Sequence, residues 1–257
     1  FDVFQSAGLD GAGRVVFSSY YQPVLAASLK KTAKYPYPLY RRPPDMVNVD
    51  LGEFDKKYAG ESLIGRVTKD KTLVPYYNRD QIDAHKALAG QGNEIAWLGD
   101  KFDVLDLHIQ GSGILKLTGG KEVLAQFAAT SAHPYNSAAQ LLVKSGAIPR
   151  DEITHDKVRA YFRAHPESQD WVMGSNPRYT FFKLSPLPED GEPFGTINET
   201  LSPARSIAID PSVIPLGALA FFSTTSPQAD KEGRLLGMFP NSRFALCMDT
   251  GGAIKGP

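Results

Sequence analysis

Residues Tyr35 to Pro44 read Tyr-Pro-Tyr-Pro-Leu-Tyr-Arg-Arg-Pro-Pro. Each proline removes a backbone donor, fixes φ and pushes the preceding residue out of the helical region, so no helix forms here. Similar punctuation recurs along the chain, with 19 prolines and 23 glycines among 257 residues separating short apolar runs. Two readings of the aromatic residues between these prolines stand side by side. They are a stacking surface for sugar rings, or an extended segment packed on its own domain, which is the commoner outcome.

Elsewhere the pattern is mixed. Arg14 to Tyr21 is rich in β-branched and aromatic residues after a run of glycines, which predicts a strand that Pro23 ends or places at an edge. Residues 79–90 predict a short helix closed by Gly90. Lys101 to Leu117 alternates, with Leu105, Leu107 and Ile109 on one face and Asp106, His108 and Gln110 on the other. That predicts a strand, broken at Gly111-Ser112-Gly113 and resumed at Ile114. Glu122 to Ala129 consists largely of helix formers and predicts a helix. Asn136-Ser137 cap a helix through Lys144 that Gly146 terminates, and Thr154 caps another in which Val158, Tyr161 and Phe162 share a face. From Asn176 onward strands are expected at Tyr179–Phe182, Ser206–Ile209, Leu219–Phe222 and Phe244–Met248. Short strands between Gly and Pro turns suggest a barrel rather than an open parallel sheet.

Composition narrows the function. The 28 basic and 28 acidic residues cancel, leaving no excess to neutralise a phosphate backbone, so a nucleic-acid partner is not expected. Cys247 is the only cysteine. It cannot form an internal disulfide, and its apolar run Phe244–Met248 points to burial. Five histidines without ligand-like spacing, and no second thiol, give no expectation of a metal or other cofactor. No apolar stretch approaches the length of a membrane span, and no signal-peptide pattern follows Phe1.

Four places hold polar residues that packing alone does not explain. Tyr20-Tyr21-Gln22-Pro23 lies at an expected strand end. In Gln110-Gly111-Ser112-Gly113, glycines permit close backbone approach and the amide offers donors and an acceptor, although Gly-Ser-Gly is as often a turn or bulge. Asp210, before Pro211, suits a turn in which its carboxylate caps the backbone. Met248-Asp249-Thr250-Gly251-Gly252 carries a carboxylate out of an apolar strand into a double-glycine turn, with Lys255 six residues on. Asp-Thr-Gly also occurs in aspartic proteases, but those need two such motifs or a short homodimeric subunit. Gly111-Ser112-Gly113 is not the Gly-x-Ser-x-Gly elbow of serine hydrolases.

Taken in order, these segments resemble the membrane-bound lytic murein transglycosylase A family. The matching stretches are Tyr20-Tyr21-Gln22-Pro23-Val24, Tyr37-Pro38-Leu39-Tyr40-Arg41, Ile109-Gln110-Gly111-Ser112-Gly113, Asn176-Pro177-Arg178-Tyr179-Thr180-Phe181-Phe182 and Asp249-Thr250-Gly251-Gly252-Ala253-Ile254-Lys255-Gly256. The later ones, with Asp210 and its Ile-Pro-Leu-Gly sequel, also resemble the three-aspartate domain that such enzymes share with other cell-wall proteins. The resemblance covers nearly the whole chain. Ser18-Ser19 departs from it, standing where a Thr-Gly or similar pair is usual.

The resemblance implies a mainly β fold with some α. A double-psi β-barrel domain with a helical insertion would comprise residues 1–26 and 120–257, with an inserted β-domain at 27–119 and glycan in the groove between them. It implies non-hydrolytic cleavage of the bond between N-acetylmuramic acid and N-acetylglucosamine, leaving 1,6-anhydromuramic ends, by one carboxyl group. In the three-aspartate pattern Asp210 and Asp249 are the first two members. The third, the expected acid, would follow Lys255-Gly256 and so lies beyond Pro257. No residue of the chain occupies the catalytic position. Asp249 and Asp210 are read as supporting groups, and Tyr21, Gln22, Gln110, Ser112 and Lys255 as substrate contacts. Peptidoglycan strands are the expected partner, with a place in a cell-wall enzyme complex conceivable and a monomer expected. The expected location is periplasmic, with an outer-membrane lipid anchor on the precursor. Three alternatives remain: a non-catalytic glycan-binding module, an inverting glycoside hydrolase using Asp210 or Asp106 as base, and, with least support, a scaffold protein in a cell-wall complex.

Overall fold

The computed structural model describes Gly8 and residues 10–17, 20–189, 191–232, 234–252 and 254–256. By internal contact the chain divides into two compact units, Tyr20–Leu187 and a discontinuous unit of Phe1–Ser19 with Pro188–Pro257. The first holds strands β1 (Val24–Ser28), β2 (Tyr37–Tyr40), β3 (Met46–Asp50), β4 (Ser62–Val67), β5 (Leu73–Pro75), β6 (Glu94–Leu98), β7 (Ser112–Leu117), β8 (Glu122–Thr130) and β9 (Thr180–Ser185). Its helices are α1 (Arg79–Asp83), α2 (Lys101–Gln110), α3 (Ala138–Lys144), α4 (His155–Ala164) and α5 (Gln169–Gly174). The composition is mainly β with some α, as expected. Boundaries at 26/27 and 119/120 both fall inside Tyr20–Leu187, the second in the turn of the β7–β8 hairpin.

Six strands pair in the order β2-β6-β1-β7-β8-β9, with β1 and β7 parallel and the other pairs antiparallel. The edges of this sheet curl toward each other: the rings of Tyr40 in β2 and Tyr179 just before β9 are 6.2 Å apart, in keeping with strand twist. In β1, Leu25 and Ala27 point inward and Val24 and Ala26 outward. The inward set packs with Leu115, Ala125 and Phe182 of the sheet, Leu105 of α2, Leu142 of α3, Phe162 of α4 and Val172 of α5. Strands β3, β4 and β5 form a separate antiparallel sheet. Tyr35 and Tyr40 are buried, so the proline-rich segment is largely packed on its own unit rather than offered to solvent.

Four local expectations are corrected. Lys101–Gln110 is a helix, not a strand. Asp100 accepts from the Phe102 N–H at 2.8 Å and Gly111 closes the end at φ +81°. Phe102, Val104, Leu105, Asp106, Leu107 and His108 are all buried, so this helix is enclosed over most of its circumference. It therefore lacks the 3.6-residue polarity by which helices are read. Glu122–Thr130 is a strand rather than a helix, because both of its edges are paired, to β7 and β9; tertiary pairing overrides helix propensity. The strand expected at Arg14–Tyr21 is absent from its described part, and pairing begins at Val24, after Pro23. The helix expected over 79–90 stops at Asp83. Ser18 and Ser19 lie outside the described residues. Helices α3 and α4 stand as read, capped by Ser137 and Thr154.

The discontinuous unit holds β10 (Ser206–Ile209), β11 (Leu219–Ala229) and β12 (Leu235–Thr250) in the order β10-β12-β11. β10 runs parallel to β12 with a bulge at Ile207/Ala208, and β11 is antiparallel to β12. Along β12, Ala245 and Cys247 are buried while Phe244 and Leu246 are exposed, the period-two pattern of a one-sided sheet. Cys247 is buried as expected. No helix among the described residues is long and apolar enough to cross a membrane.

Candidate functional site

In Tyr20–Leu187 the candidate residues converge on the end of α2. Gly111 gives α2 its left-handed cap, donating its N–H to Leu107 O at 2.9 Å. The chain then turns directly into β7. A Cβ on Gly113 would lie 2.9 Å from Pro23 O and 2.8 Å from Leu107 Cδ1, and Ile114 donates to Pro23 O at 2.8 Å. The glycine here admits the protein's own Tyr20–Pro23 segment. Tyr20 and Ser112 share a hydrogen bond of 2.6 Å between their hydroxyls. Gln110 and Gln22 are half-buried, and Gln22 Nε2 is buried without a hydrogen-bond partner among the described residues. Phe127, 50% exposed, stands against Gly111.

Tyr21 reaches inward. Its hydroxyl donates to Asp106 Oδ2 and lies 2.6 Å from His155 Nε2. With the phenol proton committed to Asp106, the second contact requires a proton on Nε2, donated to the phenol oxygen. His155 Nε2 is also 3.2 Å from Asp106 Oδ2. Burial foremost, then the hydrogen bond and charge of Asp106, push the Tyr21 phenol well above its ordinary value. Asp106 is only 2% exposed. Neither its place on α2 nor the involvement of His155, first residue of α4, followed from the sequence, because the strand reading aimed Asp106 elsewhere.

Arg79 explains the Asn176–Phe182 segment. Its buried guanidinium donates to Asn176 O and Arg178 O, each at 3.0 Å, and to His108 Nδ1 at 2.9 Å. Tyr179 and Ser131 exchange bonds of 2.9 Å. This motif therefore sets the entry to β9 from inside the unit.

In the other unit, Asp210 is buried and heavily bonded. Oδ1 accepts from Ser212 N and Oγ at 3.1 and 2.7 Å, and Oδ2 accepts from Gly256 N at 2.9 Å. The Gly256 N–H first, then the Ser212 donors, and more weakly Lys255, hold its pKa down to about 2. The capping reading of Asp210 was sound, but its long-range bond to Gly256 had no sequence signal. Asp249, half-buried, accepts through Oδ1 from Thr196 N and Oγ1 at 2.9 and 2.8 Å. Thr196 was not singled out, since an isolated threonine in a turn carries no distinguishing pattern. Lys255 is exposed. No cluster of three or more metal-ligand side chains occurs among the described residues.

Residues 16–183 match the family model described as the MltA specific insert domain, and residues 205–257 match the 3D domain. Membrane-bound lytic murein transglycosylase A of Escherichia coli K12 is 28% identical over 99% of this chain and 61% of its own length. The Vibrio cholerae protein of the same name is 25% identical over 98% and 60%. Among solved structures, a membrane-bound lytic murein transglycosylase from Agrobacterium tumefaciens aligns with TM-score 0.77 at 28% identity, covering 93% of this chain and 64% of that one. E. coli MltA with bound chitohexaose aligns with TM-score 0.74 at 25% identity, covering 97% and 64%. The chain spans about three fifths of the length of these curated relatives. With the insert-domain model matched from residue 16 to residue 183, the chain belongs to the MltA family.

Proposed function

We propose that this chain forms the glycan-binding part of a lytic transglycosylase. The enzyme would cleave the β-1,4 bond between N-acetylmuramic acid and N-acetylglucosamine in peptidoglycan and leave a 1,6-anhydromuramic end. The observation that carries the reading is the family match over residues 16–183, and the surroundings of Asp210 support it. Strands β10 and β12 run parallel with Ala208 opposite Asp249, and the Gly256 N–H is bonded to Asp210. A third carboxyl group following Gly256 in the three-aspartate pattern would enter the site beside Asp210.

The chemistry asks one carboxyl group to act twice. As an acid it protonates the departing glycosidic oxygen. As carboxylate it then takes the proton of the C6 hydroxyl, which closes on the anomeric carbon. No water is consumed, so the carboxylate spacing of hydrolases does not apply. Asp210, held ionised, and Asp249, fixed by Thr196, support this group rather than replace it. Tyr21, Gln22, Gln110 and Ser112 in Tyr20–Leu187, and Lys255 in the other unit, are the residues we assign to sugar contacts. Glycan strands are the partner we assign. The relatives are named membrane-bound, and we place the protein in the periplasm with an outer-membrane lipid anchor on its precursor.

Mass spectrometry of digested peptidoglycan tests the reading, with this chain and a version extended past Pro257. Anhydromuropeptides from the extended version are expected. Reducing ends labelled from heavy water would instead mean a hydrolase, and binding without products a glycan-binding module. Neither binding nor products would end the proposal.

A further inference from the structure

We propose that Asp106 and His155 are positioning residues that hold the Tyr21 ring as a preformed surface for stacking a sugar ring. The inference rests on the reading of Tyr21 as a glycan contact and adds the groups that give that contact its geometry.

Tyr21 combines two properties that rarely coincide. Its residue is 39% exposed, yet its hydroxyl is engaged by both Asp106 and His155. A solvent-facing tyrosine ordinarily samples several rotamers. Here the far end of the ring is held by both partners, and the chain two residues on is held where Pro23 O accepts from the Ile114 N–H. An aromatic ring held in this way binds without losing side-chain freedom.

Asp106 has no packing rationale. Its neighbours on α2, Phe102, Val104, Leu105 and Leu107, are buried and apolar, and burying a carboxylate among them is costly unless its oxygens are hydrogen-bonded. Its Oδ2 accepts from the Tyr21 hydroxyl and lies 3.2 Å from His155 Nε2. His155 is itself wedged, with its ring edge-on to Tyr21 at 5.2 Å and to Phe102 at 5.1 Å. Other charges face the cluster. Asp103 and Arg159 act on the Tyr21 phenol through space, and Asp156 Oδ1 lies 3.7 Å from His155 Nδ1.

The ligand class follows from what stands beside the ring. Gln110 is four residues on from Asp106, one helical turn further along the same side of α2. Ser112 follows, bonded to Tyr20. A rigid aromatic face with amide and hydroxyl groups at its edge suits a sugar, whose C–H face stacks while its hydroxyls exchange hydrogen bonds.

Titration calorimetry with chitohexaose as probe, alongside thermal midpoints, tests the inference on the unaltered chain and on Tyr21→Ala, Tyr21→Phe, Asp106→Asn and the double variant Tyr21→Phe/Asp106→Asn. Tyr21→Ala should abolish measurable binding. Tyr21→Phe and Asp106→Asn should each weaken it roughly three- to tenfold. The double variant should be no weaker than the worse single one, because both act on the same contact: Tyr21→Phe removes it and Asp106→Asn replaces a carboxylate acceptor with a weaker amide one. His155→Gln, which can still donate to the phenol oxygen, should bind better than His155→Ala. A merely structural role would lower midpoints and leave affinity unchanged. If Tyr21→Phe and Asp106→Asn bind normally while Tyr21→Ala does not, the positioning role is wrong and the glycan contact stands. If Tyr21→Ala also binds normally, or the unaltered chain binds nothing, the contact itself is wrong and this inference goes with it. Should Asp106→Asn fail to fold, Tyr21→Phe and the His155 pair, altered on partly exposed side chains, decide the matter.

Discussion

The guanidinium of Arg79 donates to Nδ1 of His108 at 2.9 Å, setting a permanent cation against an uncharged imidazole within Tyr20–Leu187. The same guanidinium carries the carbonyls of Asn176 and Arg178. One side chain thus joins α1, α2 and the approach to β9.

Removing it leaves buried acceptors without donors. Arg79→Met should destabilise the unit by roughly 2–5 kcal/mol, read as a lower urea midpoint. Arg79→Lys should recover little, because a point ammonium cannot serve three acceptors in different directions as the planar fork does.

His108 makes stability depend on pH. Burial, then the charge of Arg79, hold it well below the ordinary histidine value of 6.5. It stays neutral in the fold but takes up a proton in the unfolded chain. Below about pH 6.5 the unfolded state therefore binds more protons, and stability falls as pH falls. Denaturation at pH 7.5 and 5.5 should show this loss, and His108→Gln should show a smaller difference between the two.

Asp210 works in a lower window. Its folded value of about 2 lies below the ordinary aspartate value of 3.8, so the stabilisation is complete above that ordinary value. It is lost as pH falls from there through about 2. Carboxyl chemical shifts followed by NMR should place the Asp210 midpoint near the bottom of this range, and Asp210→Asn should remove that transition.

Gly113 tests the close approach of β7 to the Tyr20–Pro23 segment. Gly113→Ala would set a methyl group 2.9 Å from Pro23 O and 2.8 Å from Leu107 Cδ1. A cost of about 1–3 kcal/mol is expected, measured as a lowered denaturation midpoint. A variant as stable as the parent would show that the two segments separate freely.

Legibility followed the range of the forces involved. The caps at Ser137 and Thr154 were readable because a cap is a contact between residues three apart. β10 and the buried Cys247 were readable from local apolar runs. The clearest failure, the strand read into Lys101–Gln110, had local evidence against it in Asp100 and Gly111, the two ends of a helix. Alternation of Leu105, Leu107 and Ile109 outweighed that evidence because the buried residues of α2, Asp106 and His108 among them, surround most of its circumference, so polarity no longer reports helical phase. Within Tyr20–Leu187, Tyr21, Gln110 and Ser112 stood out by motif, whereas Asp106 and His155 did not; in the other unit, Thr196 did not.

Sequence alone determined the family, the mainly β character and the residue types at the candidate site, because these reside in ordered motifs and in short-range patterning of apolar, glycine and proline positions. Tertiary structure alone decided that Glu122–Thr130 is a strand, that Arg79 lies inside beside His108, and that Tyr21 meets Asp106 and His155. Each of those outcomes depends on groups brought together from distant parts of the chain, where strand pairing and the cost of burying an unpartnered charge outweigh any local preference.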